Sequence, residues 1–160
     1  MIFVTVGAMR AFDRLVREMD RIAGGIGEEV IMQIGAADYK PQNCNYFRFS
    51  SRSDMEKLYS KARLVVCHAG IGSILTAMKY NKSFVLVPRM KRYGEVFDDH
   101  QLEIAAELQS RGITAVYDIN ELEYALDNVS ATQIEFKDKG NLVSRLKEYL
   151  EQLDKELKSK

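Results

Sequence analysis

Apolar, β-branched runs alternate with helical hydrophobic patterns along most of this chain. "IFVTV" at 2–6 predicts a strand, and "FDRLVREMDRIA" at 12–23 carries the three- and four-residue apolar spacing of an amphipathic helix. "EVIMQIG" at 29–35 and "YFRF" at 46–49 predict further strands, followed by a helix over 53–62. Ser53 is the expected cap of that helix, with Glu56 closing a capping box. "LVVC" at 64–67 predicts a fourth strand, and a helix follows at 72–80. A strand at 84–88, a helix at 98–112 ended by Gly112, a strand at 114–117 and a helix at 119–128 complete the alternation. Strands of this kind, apolar on both faces and separated by helices, predict a doubly wound, Rossmann-like parallel sheet covered on each side. The chain reads as one domain over 1–160, with a core over about 1–130. A last amphipathic helix is expected at 141–157, where Leu142, Leu146, Leu150, Leu153 and Leu157 make one stripe. That stripe serves either its own domain or a partner.

Composition narrows the class further. The 160 residues are 46% hydrophobic and 29% charged, as in a globular domain. Lys plus Arg and Asp plus Glu are each 23, so the balance gives no reason to expect nucleic acid as a partner. Cys44 and Cys67 show no framework spacing, and Cys67, ending a strand, is expected to be a buried thiol. The start "MIFVTVGAMR" lacks the apolar stretch of a signal peptide, and no run approaches a membrane span. A cytoplasmic location, at most peripheral to a membrane, is the expectation.

Two turns carry candidate chemistry. In the strand order 3-2-1-4-5-6, strands one and four meet where the winding reverses, and ligands bind beyond their carboxyl ends. Strand one ends in "TVGAM" and strand four runs into "CHAGIGSILTAM". Each turn precedes a helix, so unpaired N–H groups and the positive end of a helix dipole face one crevice. Gly70 and Gly72 let backbone approach a diphosphate, Ser73 adds a hydroxyl, and His68 at the rim can donate to a phosphate oxygen. The structural alternative is a tight turn that needs glycine for backbone reasons, with His68 capping it. The dinucleotide G-x-G-x-x-G and the G-x-x-x-x-G-K-[ST] loop are both absent. A nucleoside diphosphate held without a metal cradle remains, and no cofactor or metal is expected. Two longer loops, 36–45 and 88–97, join elements, and the second carries Arg89, Lys91 and Arg92 and is read as a candidate mobile lid.

"MIFVTVGAM…FDRLV", "QIG", "HAGIGSIL", "VPR" and "DDHQLEIAAEL", in this order over residues 1–112, resemble the small UDP-sugar-binding subunits of two-component glycosyltransferases. The resemblance implies the C-terminal donor lobe of a GT-B glycosyltransferase, of the family 28 C-terminal kind. It implies that Gly7 and the segment Gly70, Ile71, Gly72 and Ser73 hold the diphosphate, with His68 on a phosphate oxygen. The backbone near Phe49, at the end of strand three, would then meet the uracil ring, and Asp99, His100 and Gln101 the donor sugar. His68 and Arg89 are the candidates for stabilising the leaving group. Relatives carry Glu or Asp eight residues after the histidine, against the ribose; here the position is Thr76. Threonine lacks the charge-assisted acceptor, worth about 1.5–3 kcal/mol.

Such a lobe contains no assignable base. The resemblance implies an inverting hexosyl transfer (N-acetylglucosamine, galactose or glucose) to a lipid-linked acceptor. A membrane-anchored partner subunit would bind the acceptor and supply the base; the last helix would dock on that partner, or pair with a second copy of the chain where no partner is present. The alternative is a non-catalytic enhancer subunit that stabilises a partner transferase, favoured by Thr76. A free-standing enzyme such as an epimerase is disfavoured for want of a second lobe.

Overall fold

The computed structural model describes residues 1–129 together with Glu148 and Gln152. Six parallel strands form one sheet in the order β3-β2-β1-β4-β5-β6, the doubly wound order expected from the alternation. The strands are β1 (Ile2–Thr5), β2 (Val30–Gln33), β3 (Asn45–Phe47), β4 (Leu64–Cys67), β5 (Ser83–Leu86) and β6 (Thr114–Ala115). β1 and β4 are buried at every position because both lie mid-sheet, covered on two faces.

The strand period of two sorts their side chains onto two cores. Ile2, Val4 and Val6 join Leu15, Val16 and Met19 of helix α1 (Asp13–Ala23) and Leu122 and Leu126 of α5 (Leu122–Asn128) on one face. Phe3, Val65 and Cys67 face the other way, against α2 (Arg52–Lys61), α3 (Ile71–Lys79) and α4 (His100–Ser110). Cys67 is the buried thiol expected, held protonated by burial with a pKa near 12.

Several details differ from the sequence reading. The α2 cap is Ser51, whose Oγ accepts from the Asp54 N–H at 3.1 Å, so the helix starts one residue before the expected 53. Two serines two residues apart offer the same signal, and the chain's exit from β3 selects the earlier one. Residues 119–121 form a turn of 3-10 helix before α5. The 88–97 loop, read as a mobile lid, is pinned. Arg14 of α1 forms a bidentate pair with Glu95 at 2.8 and 3.0 Å, donates to Pro88 O at 2.9 Å, and stacks over Tyr93 at 4.7 Å. This bond set spans more than seventy residues of sequence and leaves no local signature. The 36–45 loop is likewise tied down by Asp20, buried in α1, which accepts from the N–H groups of Gln42 and Asn43 and the Tyr39 hydroxyl. The helix expected at 141–157 lies outside the described residues, apart from Glu148 and Gln152, both exposed.

Candidate functional site

The parallel register aligns Thr5 with Gln33 on one side and with Cys67 on the other, so the residues that follow all emerge at one edge. There the Gln33 amide organises the first turn. Its Oε1 accepts from Thr5 Oγ1 at 2.8 Å and Gly7 N at 3.0 Å, and its Nε2 donates to Gly7 O at 2.9 Å and Arg48 O at 3.1 Å. The first turn, after β1, and the segment leaving β3 are thus held by one side chain.

His68 stands between the two glycine turns. Gly7 sits at φ +75°, in the left-handed region, and a Cβ there would meet His68 Nε2 at 2.9 Å. At Gly70 a Cβ would run into His68 Cε1 and Nδ1. Both glycines are therefore required by the ring they enclose. His68 Nε2 lies 3.3 Å from Ser73 Oγ, while Nδ1 is buried with no hydrogen-bond partner. Burial first, and then the Arg89 charge, depress its pKa to about 4, the polar Gln101 side chain opposing in part. The imidazole is neutral at pH 7.

Gly72 is different. Its φ is not left-handed and a Cβ there would meet nothing within 4 Å, so neither the backbone nor its neighbours explain a glycine inside the first turn of α3. The N-cap of α3 is Gly70, which offers no side-chain cap, and the first turn holds no acid. Helix α2, by contrast, is capped by Ser51. The α3 amino end therefore presents uncapped N–H donors and its positive dipole to the space that the missing Gly72 side chain leaves open.

That space is a cleft of about 750 Å³. Thr5, Gly7 and Gln33 contribute from the sheet edge. Its walls are the facing sides of two helices: Arg52, Met55, Glu56 and Tyr59 from α2, and Gly72, Ser73, Thr76 and Lys79 from α3. Both sets follow helical spacing and so share one face each. Phe49, exposed after β3, lies at the α2 side, and Met9 and Arg10 stand at the rim. The cations Arg10, Arg52, Lys79 and Arg89 outweigh the single acid Glu56 among the described lining residues. Such a cleft suits an anion with an apolar, planar end.

Of the expected residues, the structure brings Gly7, Phe49, His68, Gly70, Gly72, Ser73 and Thr76 into this one cleft. Ile71 begins α3 behind them. Thr76 Oγ1 donates to Gly72 O at 2.7 Å, which leaves its lone pairs toward the cleft. Arg89 is not a loop cation. It is 4% exposed, donates from Nη2 to Val6 O at 2.7 Å and Arg10 O at 2.8 Å, and lies over Phe12, clamping the first turn from beneath. Burial lowers its pKa to about 10, still charged at neutral pH. Asp99, His100 and Gln101 are not among the lining residues. Asp99 accepts from Lys91 N at 3.0 Å, and Gln101 from Arg89 N at 3.1 Å, so they brace the β5–α4 loop against the site.

The sequence reading missed Gln33, Arg10, Arg52, Glu56 and Lys79. Gln33 carried a signal, as a polar residue ending an apolar strand beside the switch point. Arg10 follows the first glycine turn, and Arg52, Glu56 and Lys79 join the site only because α2 and α3 lie side by side.

The doubled glycine turns, the uncapped helix end and the cationic cleft all lie at the switch point of a doubly wound α/β domain. The chain belongs to the glycosyltransferase family 28 C-terminal domain family, whose model matches residues 1–156. It is 31% identical over 90 residues to the UDP-N-acetylglucosamine transferase subunit ALG13 of Candida albicans, covering 56% of this chain and 29% of that protein. To human ALG13 it is 30% identical over 122 residues, 69% of this chain and 10% of that one. The chain thus spans under a third of the length of these relatives. Among solved structures, MurG of Acinetobacter baumannii superposes with a TM-score of 0.61 at 19% identity, over 94% of this chain and 49% of its own. The solution structure of ALG13 gives 0.53 at 19% identity, over 85% of this chain and 92% of its own. These likenesses show the fold, that of one half of a GT-B glycosyltransferase.

Proposed function

We propose that this chain is the UDP-sugar-binding subunit of a heteromeric glycosyltransferase, which transfers a hexosyl residue to a lipid-linked acceptor with inversion. The observation that carries the reading is Gly72, a glycine that the fold does not need, at an uncapped helix end inside a cationic cleft. In this reading the diphosphate takes the place of the missing cap, its oxygens accepting from the first-turn N–H groups of α3 and from the Ser73 hydroxyl. Phe49 offers a planar apolar surface to the uracil. Asp99, His100 and Gln101, at the start of α4, are the residues proposed to meet the donor sugar.

The transfer itself asks little covalent chemistry of this chain. An acceptor hydroxyl oxygen attacks the anomeric carbon, the bond from that carbon to the diphosphate oxygen breaks, and the hydroxyl proton passes to a base. The charge that gathers on the departing UDP meets the α3 dipole, neutral His68 as a donor and the field of Arg89. No metal enters this scheme. The base and the acceptor site belong to a membrane-anchored partner, which would hold this subunit at the cytoplasmic face. The relatives named as subunits of a UDP-N-acetylglucosamine transferase support both the sugar and the partner. A non-catalytic enhancer subunit is the second reading, favoured by Thr76 at the ribose position.

Calorimetric titration with UDP, UDP-N-acetylglucosamine, UDP-galactose and UDP-glucose tests the site directly. Binding of UDP is expected in the wild type. Gly72→Ala is expected to lose it while keeping or gaining stability, since alanine in a helix is worth about 0.5–1 kcal/mol over glycine. Absence of binding to all four at millimolar concentration overturns the reading.

A further inference from the structure

Glu56 has no evident place in an anion site. It is the one acid among the described residues that line the cleft, and a negative group there repels a diphosphate. Its carboxylate is nonetheless held in position. Lys79 Nζ donates to Oε1 at 3.2 Å and Arg52 Nε reaches the same oxygen at 3.4 Å, and the Lys79 hydrogen bond, foremost, keeps the carboxyl ionised. Both contacts use Oε1; among the described residues, no hydrogen bond engages Oε2. The side chain is 32% exposed, so a ligand can reach it.

Its position along the cleft decides what it can meet. Gly72, Thr76 and Lys79 follow one another up one face of α3, and at about 1.5 Å per residue Thr76 lies roughly 6 Å and Lys79 roughly 10 Å beyond Gly72. Glu56 is paired to Lys79, two turns away from the diphosphate end, with Phe49 on the same α2 side of the cleft. The group between a diphosphate and a base is a ribose, and its cis-diol presents two adjacent O–H donors and no charge. A carboxylate is the acceptor that suits a diol, whereas Thr76, with its hydroxyl proton given to Gly72 O, offers only the lone pairs of one neutral oxygen.

We infer that Glu56 of α2 is the ribose-recognising carboxylate of this site, accepting from the 2′- and 3′-hydroxyls through Oε2, so that the cleft selects ribonucleotides over deoxyribonucleotides. The inference rests on the nucleotide reading proposed above. Arg52 and Lys79 are then positioning residues: they hold one carboxylate oxygen so that the other faces the ligand.

The test is a pair of calorimetric titrations, with UDP and with 2′-deoxy-UDP, on the wild type and on Glu56→Gln. Glu56 is partly exposed and glutamine has the same shape, so the variant is expected to fold, and a melting curve checks that it does. The wild type is expected to bind UDP about tenfold or more tightly than 2′-deoxy-UDP, the worth of one charge-assisted hydrogen bond. In Glu56→Gln that preference collapses toward unity, through weaker UDP binding with 2′-deoxy-UDP much less affected. If the wild type binds both nucleotides equally, or if the variant keeps the wild-type preference, the inference is overturned while the nucleotide site stands. Binding of neither nucleotide overturns the site and this inference together.

Discussion

His68 shows how one residue can be legible by type and illegible by state. The sequence places a histidine beside two glycines, and the structure confirms the close packing, but its charge depends on burial and on Arg89, which lies 21 positions away. A folded-state pKa near 4, below the ordinary 6.5, has a definite consequence for stability. Above pH 6.5 the ring is neutral folded or unfolded and contributes no slope. Between 6.5 and about 4 the unfolded chain binds a proton that the folded one refuses, so stability falls as pH falls through that window. Thermal melts at pH 7 and pH 5 on wild type and His68→Gln check this: the variant should lose less on acidification. Gly70→Ala tests the packing itself. Its Cβ would enter the His68 ring, and overpacking of this kind costs about 1–3 kcal/mol. Equal stability of Gly70→Ala and Gly72→Ala in chemical denaturation would contradict the contrast drawn between these two glycines.

The elements were legible chiefly because the central strands β1, β4 and β5 are largely apolar runs separated by helical patterns. The alternation predicts a doubly wound sheet, and the observed strand order is the commonest one of that class. What was not legible depends on partners distant in sequence. The 88–97 segment has the basic, irregular composition of a lid, yet Arg14 and Glu95 hold it against α1. The 36–45 segment reads as open loop, yet Asp20 organises it. Burial opposes ionisation of that carboxyl, but the Gln42 and Asn43 N–H groups and the Tyr39 hydroxyl outweigh it and hold its pKa below the usual value. Asp20→Asn keeps the shape but weakens the acceptor for all of them, and is expected to cost about 1–3 kcal/mol. Urea unfolding at pH 7 measures it. Because the carboxyl pKa is depressed, the wild type's advantage over the variant should shrink as the pH falls through the acidic range, being a benefit of the ionised form.

At the scale of the molecule, the fold is one that larger chains also contain. MurG aligns over 49% of its length, so a fold of this kind occurs elsewhere as about half of a larger chain. In the function proposed above, the walls formed by α2 and α3 receive the donor nucleotide, and the base for the acceptor hydroxyl comes from the partner. Donor binding and transfer should therefore separate experimentally. Alone, the chain should be protected by UDP: a ligand at a hundred times its Kd stabilises the folded state by about 2.7 kcal/mol. For a domain near this size that corresponds to roughly 5–10 °C in Tm. Transfer from a UDP-sugar to a lipid-linked acceptor should appear only when the membrane-anchored partner is added, and Gly72→Ala should abolish both the protection and the transfer. The enhancer reading predicts a different pair of results, with Gly72→Ala leaving the partner's transfer intact. Robust transfer by the isolated chain would show instead that acceptor site and base are both found within these 160 residues.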